Sequence, residues 1–423
     1  MEKNLLNDQD LQPPRGMRDF YPDEFRKREK IFNAWRSTAK HFGFDEFDTP
    51  VVESLDLLKR KSGEEIVDQI YNFTDKSGRE LALRPELTPS LVRMVLGKIN
   101  ALSKPIKWSS IPQCFRYERM TVGRKREHYQ WNLDIMGESG QIAEAELVAA
   151  AVYALKELGL DSDKIVIKVG SRQIINDLLE KFGFNSETFQ DIYLLLDKRG
   201  KVGFEDIGAM LIEKGFNTDQ VSLIFEILNI KDLDEVKKQL SAESIGVRQM
   251  ESFLNYVESF GIGDFIKFDI SVVRGLSYYT GIVFECFDKE SKFRAIFGGG
   301  RYDNLFSNLG GINLPAVGFG FGDVVISEVL EHFGLGETPP KDLDYVVCYT
   351  SEELENKAIE VSNKLREKGN VLLLYGPERL KKALQTAVKM GARNIAILDP
   401  RECSEGKYLI KDLSTEKQEE IDL

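Results

Sequence analysis

Residues with chemical potential concentrate in the stretch QCFRYERMTVGRKREHYQWNLDIMG, Gln113 to Gly137. In its second half His128, Gln130, Asn132 and Asp134 alternate with Tyr129, Trp131, Leu133 and Ile135. A period of two belongs to a strand with one polar face and one aromatic and aliphatic face. A solvated sheet face usually carries Lys, Glu and Thr. Amides, a carboxylate and an imidazole are instead fixed hydrogen-bonding groups, suited to a small polar ligand. Arg116 and Glu118 share one face of the first predicted strand, and Arg119, Arg124 and Arg126 surround a predicted loop at Thr121 to Lys125. Guanidinium forks of this kind suit phosphate. Taken alone, the pattern equally suits a half-buried hairpin with a salt-bridged rim.

Three other places carry similar promise. Glu86 and Thr88, in Arg84-Pro85-Glu86-Leu87-Thr88, lie where a predicted strand gives way to a helix that Pro89 opens. Functional side chains often sit at such junctions, although an acid at a helix N-terminus is also ordinary. Arg274-Gly275, followed by Tyr278 and Tyr279, lies between two apolar runs. The glycines at 298–300 let backbone approach a ligand closely, and tight sheet–helix packing would use them equally well.

These residues need elements to hold them. With 423 residues, 42% of them hydrophobic, the chain can build two or three domains with real cores. A net charge of −12 argues against a generic nucleic-acid coat protein. It leaves room for a nucleic-acid enzyme, which needs only a local basic surface. Four scattered cysteines and three histidines, without a C-x-x-C pair, argue against a zinc site. Cys114 and Cys286 fall in strand-like runs and read as buried structural thiols. There is no apolar run of about 18 residues and no signal-like segment in MEKNLLNDQD. A soluble protein of a reducing compartment, most simply the cytoplasm, is expected, with no membrane partner.

In chain order, Asp19 or Tyr21 caps a helix opened by Pro22 and stopped near His41–Gly43. An extended EFDTPVVES follows, then a hairpin in which DKSG joins IYNFT to ELALR. A helix from about Ala143 to Leu158 leads to the strand KIVIKVG. Residues 173–265 read as a helical insertion. FDISVVRGLSYYTGIVFECFD reads as a strand pair around Arg274-Gly275, and GFGFGD as a glycine-rich turn before an apolar helix. After Pro339-Pro340, strands and helices alternate as in a small α/β domain with a largely parallel or mixed sheet.

Taken together, RGMRDFYPDE, LALRPELT, CFRYERMTVGRKREHYQWNLDIMG, VVRGLSYYTGIVFE and GGGRYDNL resemble histidyl-tRNA synthetase, a class II aminoacyl-tRNA synthetase family. The resemblance runs in order from residue 13 to the C-terminus, and VRGLSYYTG and GRYDNL mark the histidine branch. It implies an α+β fold: a class II antiparallel sheet catalytic core in residues 1–172 and 266–335, a helical insertion domain in 173–265, and a C-terminal α/β anticodon-binding domain in 343–423. The segment from Asp23 to Glu53 would be motif 1, at a homodimer interface. The implied reaction is ATP-dependent ligation of L-histidine to tRNA(His) through a histidyl-adenylate, with Mg²⁺ accompanying ATP.

The resemblance also implies roles. Arg116 and Arg274 would be catalytic, holding the α-phosphate from two sides. Glu86, Thr88 and Gln130 would bind the ammonium of histidine. Asp134, Tyr278 and Tyr279 would bind its imidazole. Arg116, Glu118, Arg124 and Arg126 would contact ATP or the tRNA end. Metal ligands from the protein are not expected. Two places depart from the family pattern: Val325 stands where motif 3 ends in arginine, and Met120-Thr121-Val122 occupies the motif 2 loop. A non-catalytic paralogue that regulates ATP phosphoribosyltransferase in histidine biosynthesis is the alternative. Residues 343–423 and intact Glu86, Arg116, Gln130 and Arg274 weigh against it.

Overall fold

The computed structural model describes residues 10–62, 64–117, 123–196, 202–241, 243–273 and 279–423. They form two compact units, Met1–Glu337 and Thr338–Leu423. In the first, helix α1 (Pro22–His41) starts at Tyr21 with Pro22 in its first turn, where a missing N–H is harmless. Strand β1 (Asp45–Glu46) and strand β2 (Val52–Ser54) follow, and β2 runs directly into helix α2 (Leu55–Ser62). The predicted hairpin is β3 (Asn72–Thr74) with β4 (Glu80–Leu83). Its turn is closed by the Asp75 carboxylate, which accepts from the Ser77 and Arg79 amides. These strands form a small sheet in the order β2-β4-β3, and Leu55, Leu58, Ile70 and Ala82 make its core with α2.

Helix α3 (Thr88–Lys98) leads to β5 (Ile106–Ser110), β6 (Gln113–Phe115) and β7 (Glu127–Met136). Helix α4 (Ile142–Glu157) precedes β8 (Ile165–Ser171). Among the described residues, six α-helices then occupy the segment up to Ser259, α5 (Arg172–Lys181) being the first and α10 (Ile245–Ser259) the last, as the helical patterning of 173–265 predicts. We number those between them α6 to α9. Strands β9 (Ile266–Phe268), β10 (Ile282–Asp288) and β11 (Phe297–Arg301) follow, then helix α11 (Leu305–Gly310), strand β12 (Ala316–Gly322) and helix α12 (Asp323–His332). The large sheet has the order β1-β5-β7-β12-β11-β10-β8-β9, with β6 paired to β7. It is antiparallel except at its two ends, where β1 joins β5 and β9 joins β8 in parallel.

The two faces of this sheet differ completely. Trp131, Leu133 and Ile135 of β7 lie opposite Phe321, Phe319 and Val317 of β12, and all six are buried in the main core. Directly opposed residues share a face, so this is the aromatic and aliphatic face that the alternation predicts. Trp35 of α1 stacks on Trp131 at 5.9 Å and packs on Phe321 at 5.1 Å between ring centres. Each large side chain buried in this way contributes roughly 1.5–3 kcal/mol. The α5–α10 segment shares this core through Ile174, Leu178, Val247 and Phe253.

Three expectations need correction. FDISVVRGLSYYTGIVFECFD is not a strand pair: β9 and β10 flank β8 on opposite sides. The apolar run of β8 is long enough to take a partner on each edge. GFGFGD is a strand and not a turn, because its phenylalanines and glycines alternate with period two and pair with both β7 and β11. The first strand of the Gln113–Gly137 hairpin is short. The Arg116 amide still pairs with the Arg126 carbonyl at 2.9 Å, but the Tyr117 amide turns to the Gln69 carbonyl at 2.8 Å. The pull of the β3–β4 region ends the ladder there.

The second unit holds β13 (Tyr345–Tyr349), helix α13 (Glu355–Arg366), β14 (Val371–Leu373), helix α14 (Leu380–Lys389), β15 (Asn394–Leu398), a short helix α15 (Pro400–Ser404), β16 (Lys407–Asp412) and β17 (Gln418–Asp422). Its sheet runs β14-β13-β15-β16-β17, parallel in the first three strands and antiparallel after that. The mixed α/β expectation fits; β17, polar except for Ile421, escaped the sequence reading.

Candidate active site

The polar face of β7 looks onto a floor without side chains. Gln130, Asn132 and Asp134 lie opposite Gly322, Gly320 and Gly318 of β12, and Gly318 and Gly320 lie opposite Gly300 and Gly298 of β11. A Cβ on Gly318 would come within 2.0 Å of an Asp134 carboxylate oxygen, and one on Gly320 within 2.5 Å of the Gln130 amide nitrogen. Glycine is therefore required here by space, so that two polar side chains can lie across the neighbouring strand.

Asp134 is 3% exposed. Its Oδ1 accepts from the Tyr302 hydroxyl at 2.5 Å, while its Oδ2 is buried without a hydrogen-bond partner. Burial pushes this carboxyl up to about 7, against the opposing pull of the Tyr302 hydroxyl and the Lys61 charge. A buried acceptor left open is costly, and a donor supplied by a ligand relieves that cost. Tyr279 is buried nearby, with its ring 3.0 Å from the position a Gly300 Cβ would take. Gln130 donates to Asn132 at 3.0 Å. The neighbouring His128 is driven down to about 3 by burial and by the charges of Arg116 and Arg18, so it is neutral at physiological pH.

A second group of charges comes from outside the large sheet. Glu86, just before α3, accepts from the Nζ of Lys61 at the end of α2. Thr88, the first residue of α3, adds a hydroxyl to Glu86. Arg116 donates through Nε to the Pro85 carbonyl at 3.0 Å, which holds its guanidinium beside Glu86. Lys61 feels the charges of Glu86, Arg116 and Asp134 together. The structure thus brings Glu86, Thr88, Arg116, Gln130, Asp134 and Tyr279 to one side of the molecule's central sheet. Arg126 lies 4.3 Å from the centre of the Tyr117 ring, and Gly123 approaches α12 by donating its backbone N–H to the Glu328 carboxylate at 3.2 Å. That return of the loop also puts Gly123 against Val325 and Arg294, whose side-chain carbons lie 3.4 Å from where its Cβ would be. Arg124 follows directly. Arg274, Tyr278 and Glu118 lie outside the described residues.

Sequence reasoning missed four members of this neighbourhood. Tyr302 and Arg18 sit in the quoted segments GGGRYDNL and RGMRDFYPDE but carried no role. Arg18 forms ion pairs with Glu127 at 2.7 Å and Asp323 at 3.0 Å, both carboxylates being almost fully buried. Arg172 clamps the carbonyls of Val273 and Tyr279 at 3.2 Å each, on either side of the Arg274 segment. Lys61 lies in the basic run LKRKS, which reads as a solvated helix face. Only the fold turns it inward. Among the described residues, no cluster of three or more His, Cys, Asp and Glu side chains could hold a metal. The site therefore offers acceptors for an ammonium and a ligand N–H, in Glu86 and Asp134, and a cationic donor for a phosphate, in Arg116.

Comparison with known proteins agrees with this chemistry. A family model described as histidyl-tRNA synthetase matches residues 16–322, and one described as anticodon binding domain matches residues 344–423. The chain is 40% identical over 415 residues to a histidine–tRNA ligase, chloroplastic/mitochondrial, of Arabidopsis thaliana, covering 98% of this chain and 85% of that one. It is 39% identical to a histidine–tRNA ligase of Opitutus terrae, covering 96% and 94%. The fold matches a crystal structure of histidyl-tRNA synthetase from a Nostoc species with a TM-score of 0.82 and 24% identity, over 97% of each chain.

Proposed function

The chain belongs to the histidyl-tRNA synthetase family, and on that premise we propose that it ligates L-histidine to tRNA(His) in two steps at the site just described. The histidine carboxylate first attacks the α-phosphorus of ATP, and pyrophosphate leaves. The 3′ end of the tRNA then takes the histidyl group from the adenylate. The observation that carries the specificity for histidine is the open, buried Oδ2 of Asp134 beside Tyr302 and Tyr279. An imidazole N–H satisfies it. An amino acid without such a donor leaves it unpaired, and sites of this type reject such analogues strongly.

Glu86, with Thr88 and Gln130, receives the ammonium. Arg116 takes the α-phosphate, and Arg274, with Tyr278 at the imidazole end, completes the site as the family resemblance implies. Glu118, Arg124 and Arg126 serve the ATP phosphates or the tRNA end. Catalysis is then mostly positioning and charge stabilisation, in which one well-placed cation is worth on the order of 3 kcal/mol. Mg²⁺ would enter with the nucleotide and supply charge neutralisation at its phosphates.

Residues 343–423 bind the anticodon stem in this reading, and residues 173–265 reach toward the acceptor stem. A homodimer is supported by a cavity of about 460 Å³ beside β1, lined by Phe47, Met94, Leu102 and Trp108 together with Glu46, Arg93 and Lys98. A cytoplasmic location is supported by four buried free thiols, and none of the described helices is long and apolar enough to cross a membrane. The test is histidine-dependent ATP–pyrophosphate exchange, followed by charging of tRNA(His). A folded protein that exchanges no pyrophosphate with histidine would remove this reading.

A further inference from the structure

Lys61 is a site residue whose presence the proposed chemistry does not require. The reaction brings its own ammonium, on histidine, to Glu86. Yet the Lys61 side chain is 1% exposed and its Nζ already donates to Glu86 Oε2. Enclosing an ammonium in this way forfeits its hydration, a penalty of several kcal/mol. Such a group persists only where partners repay it, and one partner here is the carboxylate that must receive substrate. Helix α2, which carries Lys61, is anchored by Leu55 and Leu58 in the core of the small sheet. The ammonium is thus delivered from a different element than Glu86, Arg116 or Asp134.

We propose that Lys61 is a positioning residue that holds the Glu86 carboxylate ionised and correctly turned, so that the histidine ammonium meets an acceptor already formed. The proposal rests on the synthetase reading of the site. An ionised carboxylate has about four lone-pair sites. With one oxygen held by Lys61, the carboxylate retains acceptor capacity for the substrate.

The electrostatics around Glu86 give the proposal a measurable sign. Burial pushes this carboxyl up; the Lys61 charge and hydrogen bond, then Arg116, then the Thr88 hydroxyl pull it down, and the net direction is below the ordinary carboxylate value. The charged groups facing the pair are Arg116 from the segment after β6 and Asp134 from β7, with the neutral Cys114 thiol of β6 also in reach. Without Lys61 the burial effect loses its main opponent. Glu86 then keeps its proton to higher pH, and binding of a cationic ammonium fails as pH falls through that raised value.

The experiment is ATP–pyrophosphate exchange between pH 6 and 8.5 with wild type, Lys61→Met, Lys61→Arg and the double variant Lys61→Met with Glu86→Gln. Lys61→Met is expected to raise KM for histidine by about tenfold at pH 7. The expected rise grows toward acid pH, while KM for ATP at saturating histidine changes far less. Lys61→Arg keeps the charge and should restore most of the affinity without the acid limb. In the double variant the part of the acid limb that belongs to Glu86 should vanish, since glutamine does not titrate, leaving only the shallower limb of Asp134, which the Lys61 charge also pulls down. A pH-independent loss in Lys61→Met would mean a packing role and overturn the proposal. So would an unchanged or lower KM for histidine, which would make Lys61 a competitor of the substrate ammonium. If Lys61→Met does not fold, Lys61→Gln supplies the uncharged side chain for the same comparison. Absence of exchange in the wild type would remove the synthetase reading itself, a result distinct from either of these.

Discussion

Asp134 shows how a single carboxyl can be held in an expensive state for use. Its ordinary value is 3.8, and burial raises it to about 7. The folded protein therefore binds this proton more tightly than the unfolded chain does, and its stability falls as pH rises between those values. Asp134→Asn should accordingly stabilise the ligand-free protein at pH 8 by about 2 kcal/mol, read as a higher Tm, with little change at pH 4. The same variant should raise KM for histidine far more than KM for ATP in pyrophosphate exchange. Equal rises in both would take Asp134 out of the imidazole site. Arg18 presents the opposite case. It is the cation between two buried carboxylates, Glu127 and Asp323. Arg18→Met should cost roughly 3 kcal/mol of stability at pH 8 in denaturant titration. The loss should shrink below pH 6, because burial already pushes Asp323 up to about 6 and it then takes a proton in place of its partner.

At the scale of elements, β7, β11 and β12 divide their labour by face. Phenylalanines and tryptophan on one side make the core, and glycines on the other make room. The three neighbouring strand glycines should therefore respond differently to alanine. Gly318→Ala drives a methyl into Asp134 and should raise KM for histidine at least about tenfold while the fold survives, since the clashing atoms end a side chain. Gly299→Ala meets the Gly318 carbonyl at 2.2 Å, which is backbone. It should lower stability by roughly 2–3 kcal/mol, seen as a Tm drop. Gly322→Ala meets nothing within 4 Å and should be near neutral in both assays. A uniform response across the three would contradict the assignment of faces. The hairpin from Gln113 to Gly137 shows a further division: the long strand β7 spans core and site, while the short β6 hands the chain over to the β3–β4 sheet.

On the scale of the whole molecule, the two compact units own separate cores. Val347, Tyr349, Leu354 and Val361, with Val346 and Ala383 on the other side of their sheet, serve residues after Thr338. Every described residue assigned to histidine or ATP belongs to the first unit. A protein ending at Glu337 should therefore retain histidine-dependent pyrophosphate exchange within a few-fold and lose most tRNA charging. Loss of both activities in a folded fragment would show that the second unit is needed for adenylate formation.

What the sequence alone determines is the local grammar. Period two in β7 sorts its residues onto two faces because alternate side chains must point apart. Pro22 and Pro89 mark helix starts because the first amides of a helix have no carbonyl partner within it, so proline's missing N–H breaks no helical bond there. Glu86, Arg116, Gln130, Asp134 and Tyr279, to which the family resemblance gives site roles, come together on one side of the large sheet. What tertiary structure decides is which groups meet. Lys61 and Glu86 are 25 positions apart, and Asp134 and Tyr302 are 168 apart. Nothing in LKRKS distinguishes an ammonium facing water from one sealed against a carboxylate, because that choice depends on where α2 docks. The GFGFGD segment likewise reads as a turn until β7 and β11 are set on either side of it. Strand partners and burial are properties of distant chain segments brought together, and they set the charge states on which the site depends.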